Sequence, residues 1–445
     1  MIPRKYPLNI VVATMLPILP SGLAQASSFQ ILEQSPAHLG KAFAGTGSDV
    51  RDASSVFFNP AGISKLDRAS ATLGVNGIFT NADFSNRNST TNGVEDETDE
   101  IGHVPNLYFT MPISQRIAVG LGVSAPYGLE SNFGEDWIGR YLATHSELAV
   151  VNLNAVVAYE FNEQWSLGLG MDLQRAEVTL KSQVDSTFGI NPQPATDSTA
   201  KVEGDDDDIV ADASVHFTPN DQTSFGLVWR QGGKFNLDGD ASFSLNPICS
   251  AGAGFPTGAP PAPTTGTVCA ASLSRLAGDA SARVHLPDTL TLSGSHRIMD
   301  EWQVHADVAW TKWNNIQTIR VRNNDSNLSI NELELRYENT LRYAVGFTYE
   351  PADCPWLWRF GVAFDEAPQT KPEFVSARIP DEDRVWFSAG FNYEFSPDLS
   401  VDAGLAYINV QTATIDNNDP QSGRRVNGTF DANVHVVGVQ ANWKF

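Results

Sequence analysis

Trp165-Ser166-Leu167-Gly168-Leu169-Gly170-Met171-Asp172-Leu173-Gln174 decides the fold. Every odd position is large and apolar, and every even position is small or polar. A period of two sends successive side chains to opposite faces of a β-strand. The pattern recurs at 341–350, where Leu341, Tyr343, Val345, Phe347 and Tyr349 oppose Arg342, Ala344, Gly346, Thr348 and Glu350. It recurs at 356–365, with Trp356, Trp358, Phe360, Val362 and Phe364 against Arg359, Gly361, Ala363 and Asp365, and again at 302–311 between Trp302 and Trp310. A soluble sandwich also alternates, but its strands average about five or six residues. The segments here run longer, and their aromatic residues gather at the ends, as in the interfacial girdles of a membrane barrel.

Working outward, the alternation predicts fourteen strands, near 68–80, 104–113, 116–127, 143–161, 165–181, 206–218, 223–238, 279–298, 302–319, 332–350, 355–366, 383–396, 400–411 and 428–445. Short polar turns such as Asn162-Glu163-Gln164 and Pro397-Asp398 alternate with long linkers such as 182–205 and 239–278. The predicted fold is therefore an all-β, fourteen-stranded antiparallel transmembrane β-barrel, residues 68–445, with both ends on the short-turn side. Closure is required, because open strand edges in hydrocarbon leave backbone groups unpaired. An apolar outside places His305, Asp307, Arg342, Arg359, Arg384 and Glu394 in the lumen.

Residues 27–67 break the pattern. Gly40, Ala42, Ala44, Gly45, Gly47, Ala53, Ala61 and Gly62 suit a compact element packed closely inside something else, and a barrel this wide holds a plug. Residues 1–26 read as a signal peptide: Arg4 and Lys5, an apolar run from Leu8 to Leu23, then Ala24-Gln25-Ala26. No later stretch reaches the roughly 20 apolar residues of a membrane helix.

Lys and Arg total 29 against 52 Asp and Glu, a formal net charge of -23. That balance disfavours a nucleic acid partner. Export permits a disulfide between Cys249 and Cys269, which flank a Gly/Pro-rich stretch read as a flexible tip; Cys354 is left over in a predicted turn. No cluster has metal-ligand spacing, so no metal and no cofactor are expected. The acidic run Asp205 to Asp208 reads as a solvated strand end. Ser295 and His296 are adjacent, but neighbours on a strand face opposite ways, and no nucleophile elbow is present. The chain does not read as an enzyme.

Local matches then point to a family. Ser27-Ser28-Phe29-Gln30 with Leu39-Gly40-Lys41-Ala42, Asp52-Ala53 with Asn59-Pro60-Ala61, Val123 to Gly128, Trp137-Ile138-Gly139-Arg140-Tyr141, and Arg378-Ile379-Pro380-Asp381-Glu382-Asp383-Arg384 follow one another in order. With them the chain resembles, over nearly its whole exported length, the FadL family of outer-membrane long-chain fatty acid and hydrophobic-compound transport proteins, which includes aromatic hydrocarbon uptake channels.

The resemblance implies a passive transporter in the Gram-negative outer membrane, spanning it many times. It implies an N-terminal hatch (27–67) carrying Asn59, Pro60 and Ala61. It also implies capture of a long-chain fatty acid or another hydrophobic small molecule at extracellular loops, transfer to a lumen pocket near Phe29, and sideways release through a gap at a kinked third strand. Gly120, Gly122, Ser124, Pro126, Tyr127 and Gly128 are the residues expected at that kink, against the alternative of a plain strand end at Pro126. Phe133, Trp137 and Leu129 are candidates for the capture region, with an upper aromatic girdle or a packed loop as the equal alternative, and Arg140, near a loop, is a candidate for a carboxylate. Arg342, Arg359 and Arg384 are lumen candidates for a carboxylate, with pairing to acids such as Asp307, Asp365, Glu394, Asp49 and Asp52 as the alternative role. Expected partners are the hydrophobic solute, outer-membrane lipid and lipopolysaccharide, and the barrel assembly machinery during biogenesis; the chain is expected to be a monomer. The competing readings are a channel for aromatic hydrocarbons or alkanes and, behind it, a general diffusion porin, which lacks a small-residue plug.

Overall fold

A computed structural model describes residues 28–258, 263–418 and 423–445. The expected signal peptide, apart from the described chain, lies outside these residues. Nineteen strand segments join into one closed antiparallel barrel of fourteen strands. Nine are continuous: β1 Ser70–Asn86, β2 Glu97–Pro112, β3 Ile117–Asn132, β4 His145–Glu160, β5 Trp165–Asp185, β6 Asp197–Asn220, β11 Trp356–Asp365, β12 Arg384–Ser396 and β14 Arg425–Lys444. Five have two parts: β7 (Thr223–Arg230, Lys234–Ser244), β8 (Gly278–His285, Thr289–Met299), β9 (Trp302–Thr311, Thr318–Asn323), β10 (Ser329–Glu334, Thr340–Tyr349) and β13 (Leu399–Val410, Ala413–Asn418). The first strand pairs with the last from Ser70↔Lys444 to Asn86↔Gly428, which closes the cylinder.

The faces follow the sequence pattern. Leu167, Leu169, Met171 and Leu173 are exposed, while Ser166, Asp172 and Gln174 are buried. Tyr343, Val345 and Phe347 face out; Arg342, Ala344 and Thr348 face in. Large exposed apolar surface on a strand is the lipid-facing band of a membrane barrel, not a packing error. Strand β6 corrects two expectations. It begins at Asp197, well before the expected 206, so Asp205 to Asp208 lie inside a long strand rather than at its end. Asp205 and Asp207 meet Arg175 of β5 above the apolar band.

Residues 28–67 fill the lumen with the short helices Pro36–Leu39 and Ser55–Phe58 and a 3-10 helix, Pro60–Lys65. The small-residue composition has a direct cause on both sides of the contact. A Cβ on wall residue Gly168 would stand 2.2 Å from the Ala61 nitrogen, and one on Gly361 would stand 2.2 Å from the Lys41 carbonyl carbon. Only bare backbone lets hatch and wall come this close. Asn59 caps the 3-10 helix by accepting from Ala61 N at 3.1 Å, donates to the Gly47 carbonyl at 2.5 Å, and is followed by Pro60 at the first helical position.

The Gly/Pro-rich tip between β7 and β8 holds regular structure among its described residues. It carries helices Pro247–Ser250 and Thr265–Leu273, joined by a Cys249–Cys269 disulfide with a Cα separation of 5.4 Å. Cys354 is free and exposed.

Candidate substrate cavity and gate

Two connected spaces, an outer groove of mixed polar and apolar lining and an apolar cavity, open downward from the extracellular loops. The outer groove is bordered by Tyr141, Leu142, Val184, Phe243, Leu273 and Leu276. Beneath it lies a cavity whose empty space, open mouth included, is about 990 Å³, walled by Leu129, Leu148, Val150, Phe235, Leu237 and Leu286 among other apolar residues. Leu180, Val202, Asn331, Leu333 and Arg378 border both spaces. A mostly apolar pocket with few polar groups suits a hydrophobic ligand with one polar end.

Breaks in four successive strands shape the cavity floor. Strands β7 to β10 each lose regular structure, at 231–233, 286–288, 312–317 and 335–339. There Trp313 and Tyr337 are fully buried. Phe29 packs edge-on against Trp313, with centroids 5.0 Å apart, and lies 6.2 Å from the Tyr127 ring. The N-terminal strip is anchored at its start: Ser28 N donates to Asp381 Oδ2 at 2.6 Å and Ser28 Oγ to Tyr337 Oη at 3.0 Å.

The third strand does not end at Pro126. It runs to Asn132 with a bulge, Ser124 pairing with Asn152 and Tyr127 with Val150, so Ala125 and Pro126 oppose one residue of β4. Pro126 cannot donate to a ladder, which suits a bulge. Pairing of β2 with β3 is confined to Leu107↔Val123 through Pro112↔Ala118. Above Val123 this wall has no ladder, although β1 and β2 remain paired up to Asp83↔Glu97. The hatch strip covers the inside of this seam. Ile31 N donates to Pro126 O at 2.8 Å, and Gly128 N donates to Phe29 O at 2.9 Å. Gly120 and Gly122 sit below the bulge in the paired part, where added Cβ atoms would crowd Val56 and Tyr108.

The arginines sort by partner. Arg140 is fully buried and donates to Asp197 at 2.7 Å, and it also reaches the Asn92 carbonyl. Arg359 pairs with Asp402 at 2.5 Å, and Arg384 with Asp381. The expected acids are thus not the ones used: Asp49 pairs inside the hatch with Lys41 and Arg51, and Asp52 takes hydrogen bonds from Ser54 N and Gln440. Arg342 donates to the Ala42 carbonyl at 2.8 Å. Phe133 and Trp137 stack at 4.3 Å and pack on Phe84 and Phe430, building a loop core away from the cavity. Leu129 and Phe29 do line the cavity.

The residue not singled out from sequence is Arg378. It is buried, donates through Nη1 to the His145 carbonyl (3.2 Å), Ser146 Oγ (3.0 Å) and the Lys181 carbonyl (3.2 Å), and leaves Nη2 without a partner. It makes no ion pair among the described residues. Burial alone pushes its guanidinium down, to about 10.

A closed fourteen-stranded barrel with a lipid-facing band, a lumen plug and an apolar route between them defines an outer-membrane transport barrel. Residues 18–445 match the model of the family described as Outer membrane protein transport protein (OMPP1/FadL/TodX), and the chain belongs to that family. It is similar to the long-chain fatty acid transport protein of Escherichia coli, 29% identical over 87% of this chain and 88% of the relative. It is also similar to outer membrane protein P1 of Haemophilus influenzae, 27% identical over 99% of this chain and 100% of the relative. Among solved structures, a Pseudomonas aeruginosa FadL homologue superposes with a TM-score of 0.83 at 24% identity, covering 94% of this chain and all of the other. The toluene transporter TodX of P. putida superposes with 0.71 at 16% identity, covering 93% and 99%. These two likenesses bear on the fold alone. The protein is a passive, non-catalytic transporter of hydrophobic compounds in the outer membrane.

Proposed function

We propose that the solute is a long-chain fatty acid, and that Arg378 meets its carboxylate where the outer groove joins the inner cavity. The observation that carries this reading is a buried guanidinium with an open donor, no carboxylate partner and an apolar cavity beneath it. A channel for neutral hydrocarbons has no use for such a group, since an unpaired buried charge is costly. The chain of the acid lies along Leu129, Leu148, Val150, Phe235 and Leu237, with its end toward Phe29. Displacement of the 28–34 strip then uncovers the seam above Val123, and the acid leaves sideways into the membrane. The lumen is filled by the hatch, which speaks against a general diffusion porin. The continuous wall supports action as a monomer, inserted by the barrel assembly machinery and surrounded by lipid and lipopolysaccharide.

Equilibrium binding of oleate and of toluene to the purified protein tests the reading. Arg378→Ala is expected to weaken oleate about 10- to 100-fold, the worth of a charged hydrogen bond at roughly 1.5–3 kcal/mol, and to leave toluene unaffected. Equal binding of oleate by both proteins excludes Arg378, and tight toluene binding with no oleate binding favours the aromatic hydrocarbon reading.

A further inference from the structure

Below Phe29 lies a second chamber, whose empty space with its mouth is about 880 Å³. Gln30, Ile31 and Leu32 border it above; Phe43, Phe57 and Phe58 of the hatch supply aromatic surface; Pro126 and Tyr127 face it from the bulge. Arg342 of β10 and Asp365 of β11 project into it from directly opposed positions of the ladder. Opposed residues share a face with Cβ atoms about 5 Å apart. Arg342 is 7% exposed and Asp365 2%. Two such groups ordinarily bond to each other, yet here they do not. Arg342 uses Nη2 on the Ala42 carbonyl and lies over Trp386, while its Nε has no partner, and neither has Asp365 Oδ2.

Of the other charged groups of the chamber, Asp307 is fully committed and Arg230 is partly so, its Nε lacking a hydrogen-bond partner. Asp307 accepts from Gly45 N, Thr46 N, Thr46 Oγ1 and Ser293 Oγ. Arg230 donates to the Phe57 carbonyl, packs on the Phe57 ring and stands 3.8 Å from Asp172.

The complement of an open N–H and an open carboxylate oxygen, one ladder step apart, is a group that accepts from the first and donates to the second. A carboxylic acid does both: its carbonyl oxygen takes the Arg342 Nε–H, and its hydroxyl donates to Asp365 Oδ2. An ester or an alkane offers no donor, and an alkyl sulfate offers only negative charge to Asp365.

We propose that this chamber is a second binding site on the route, holding the protonated head of a fatty acid between Arg342 and Asp365 with its chain against Phe43, Phe57 and Phe58. The inference rests on the fatty-acid reading above. An acid carried as the anion at Arg378 takes up one proton from water on reaching this chamber, and that proton is shared between the substrate and Asp365 carboxyl groups. The substrate then faces the seam as a neutral molecule, which enters hydrocarbon far more cheaply than an anion does.

Passage of oleate and of methyl oleate through the full-length protein in lipid vesicles tests this. The quantity read is the ratio of the two rates. Asp365→Asn, close in shape and able to hydrogen-bond, and Arg342→Gln are each expected to lower the oleate to methyl oleate ratio about tenfold. Oleate binding at the upper cavity is measured in the same preparations. An unchanged ratio in both variants overturns the proposal, as does an equal loss of both compounds, which would mean that the pair only holds the hatch. Arg378→Ala separates the two readings: unaltered oleate binding there with a lowered ratio in Asp365→Asn removes Arg378 and keeps the lower chamber.

Discussion

Gln34 of the hatch clasps Ala125 of the third strand from both sides: its amide nitrogen donates to the Ala125 carbonyl at 2.7 Å, and its oxygen accepts from the Ala125 nitrogen at 3.1 Å. The bulge strips Ala125 of a ladder partner, and the side chain of a lumen residue replaces it. Tyr108 of the neighbouring strand donates to the Gln34 carbonyl at 3.0 Å, so one hatch residue spans the open seam.

Gln34→Leu should therefore loosen the seam without touching the cavity. Three buried hydrogen bonds are lost, two to Ala125 and one to the Ile31 carbonyl, and the backbone groups of Ala125 are left unmet, a cost of about 1–3 kcal/mol. Faster hydrogen exchange at residues 124–128 and faster oleate release are expected, with oleate affinity unchanged. Exchange as slow as in the wild type would show that the strip does not hold the bulge.

Glu33, beside it, supplies a pH dependence. Its carboxylate is fully buried, and burial raises its pKa from 4.5 to about 7 against the opposing pull of its own and the Leu32 backbone N–H and of Arg384 and Arg342. The folded strip therefore holds a proton that the released strip gives up. The stabilisation is complete below about pH 4.5 and is lost as the pH rises through 7, a swing of about 3 kcal/mol for the whole shift. Exchange protection of residues 29–36 should be greater at pH 5 than at pH 8, and Glu33→Gln should flatten that difference. A flat wild-type profile would place the titration elsewhere.

The Arg140–Asp197 pair holds the β3–β4 loop to the start of β6, and Tyr141 Oη also donates to Asp197 at 2.9 Å. Asp197→Ala strands a buried guanidinium, which costs about 3–5 kcal/mol. Residues 133–144 should lose exchange protection and oleate capture should weaken, while the barrel keeps its thermal midpoint within a few degrees. Unaltered protection would mean that the aromatic stack of Phe133 and Trp137 suffices.

Much of this was legible in the chain. The faces at 165–174 and 341–350 fixed the lipid side, because a strand's period of two is independent of what it packs against. The plug was legible from its small residues, although the reason lay in wall glycines such as Gly168 and Gly361, far away in sequence. The breaks in β7 to β10 were not legible. In two of them, at 312–317 and 335–339, Trp313 turns inward to meet Phe29 and Tyr337 to meet Ser28, a tertiary event with no local signature. Arg378 stands in the family-like run 378–384, in a linker and off any strand face, so its burial and open donor leave no signal in the sequence. Arg140, Arg359 and Arg384 stood out for their positions, yet each found an acid. Charge partners across a barrel are set by strand register, which a single sequence does not reveal.

The glycine-lined contact between hatch and wall has one more consequence. Backbone lies against backbone at Gly168, Gly226 and Gly361, on strands spread around the barrel. A core gripped on several sides cannot slide out like a piston, so the moving part reduces to the short strip ahead of Pro36. On the sideways route proposed above, a greasy molecule slips through the side of the wall while the axis stays sealed. Such a route carries a hydrophobic solute through the barrel wall without opening an aqueous path along its axis.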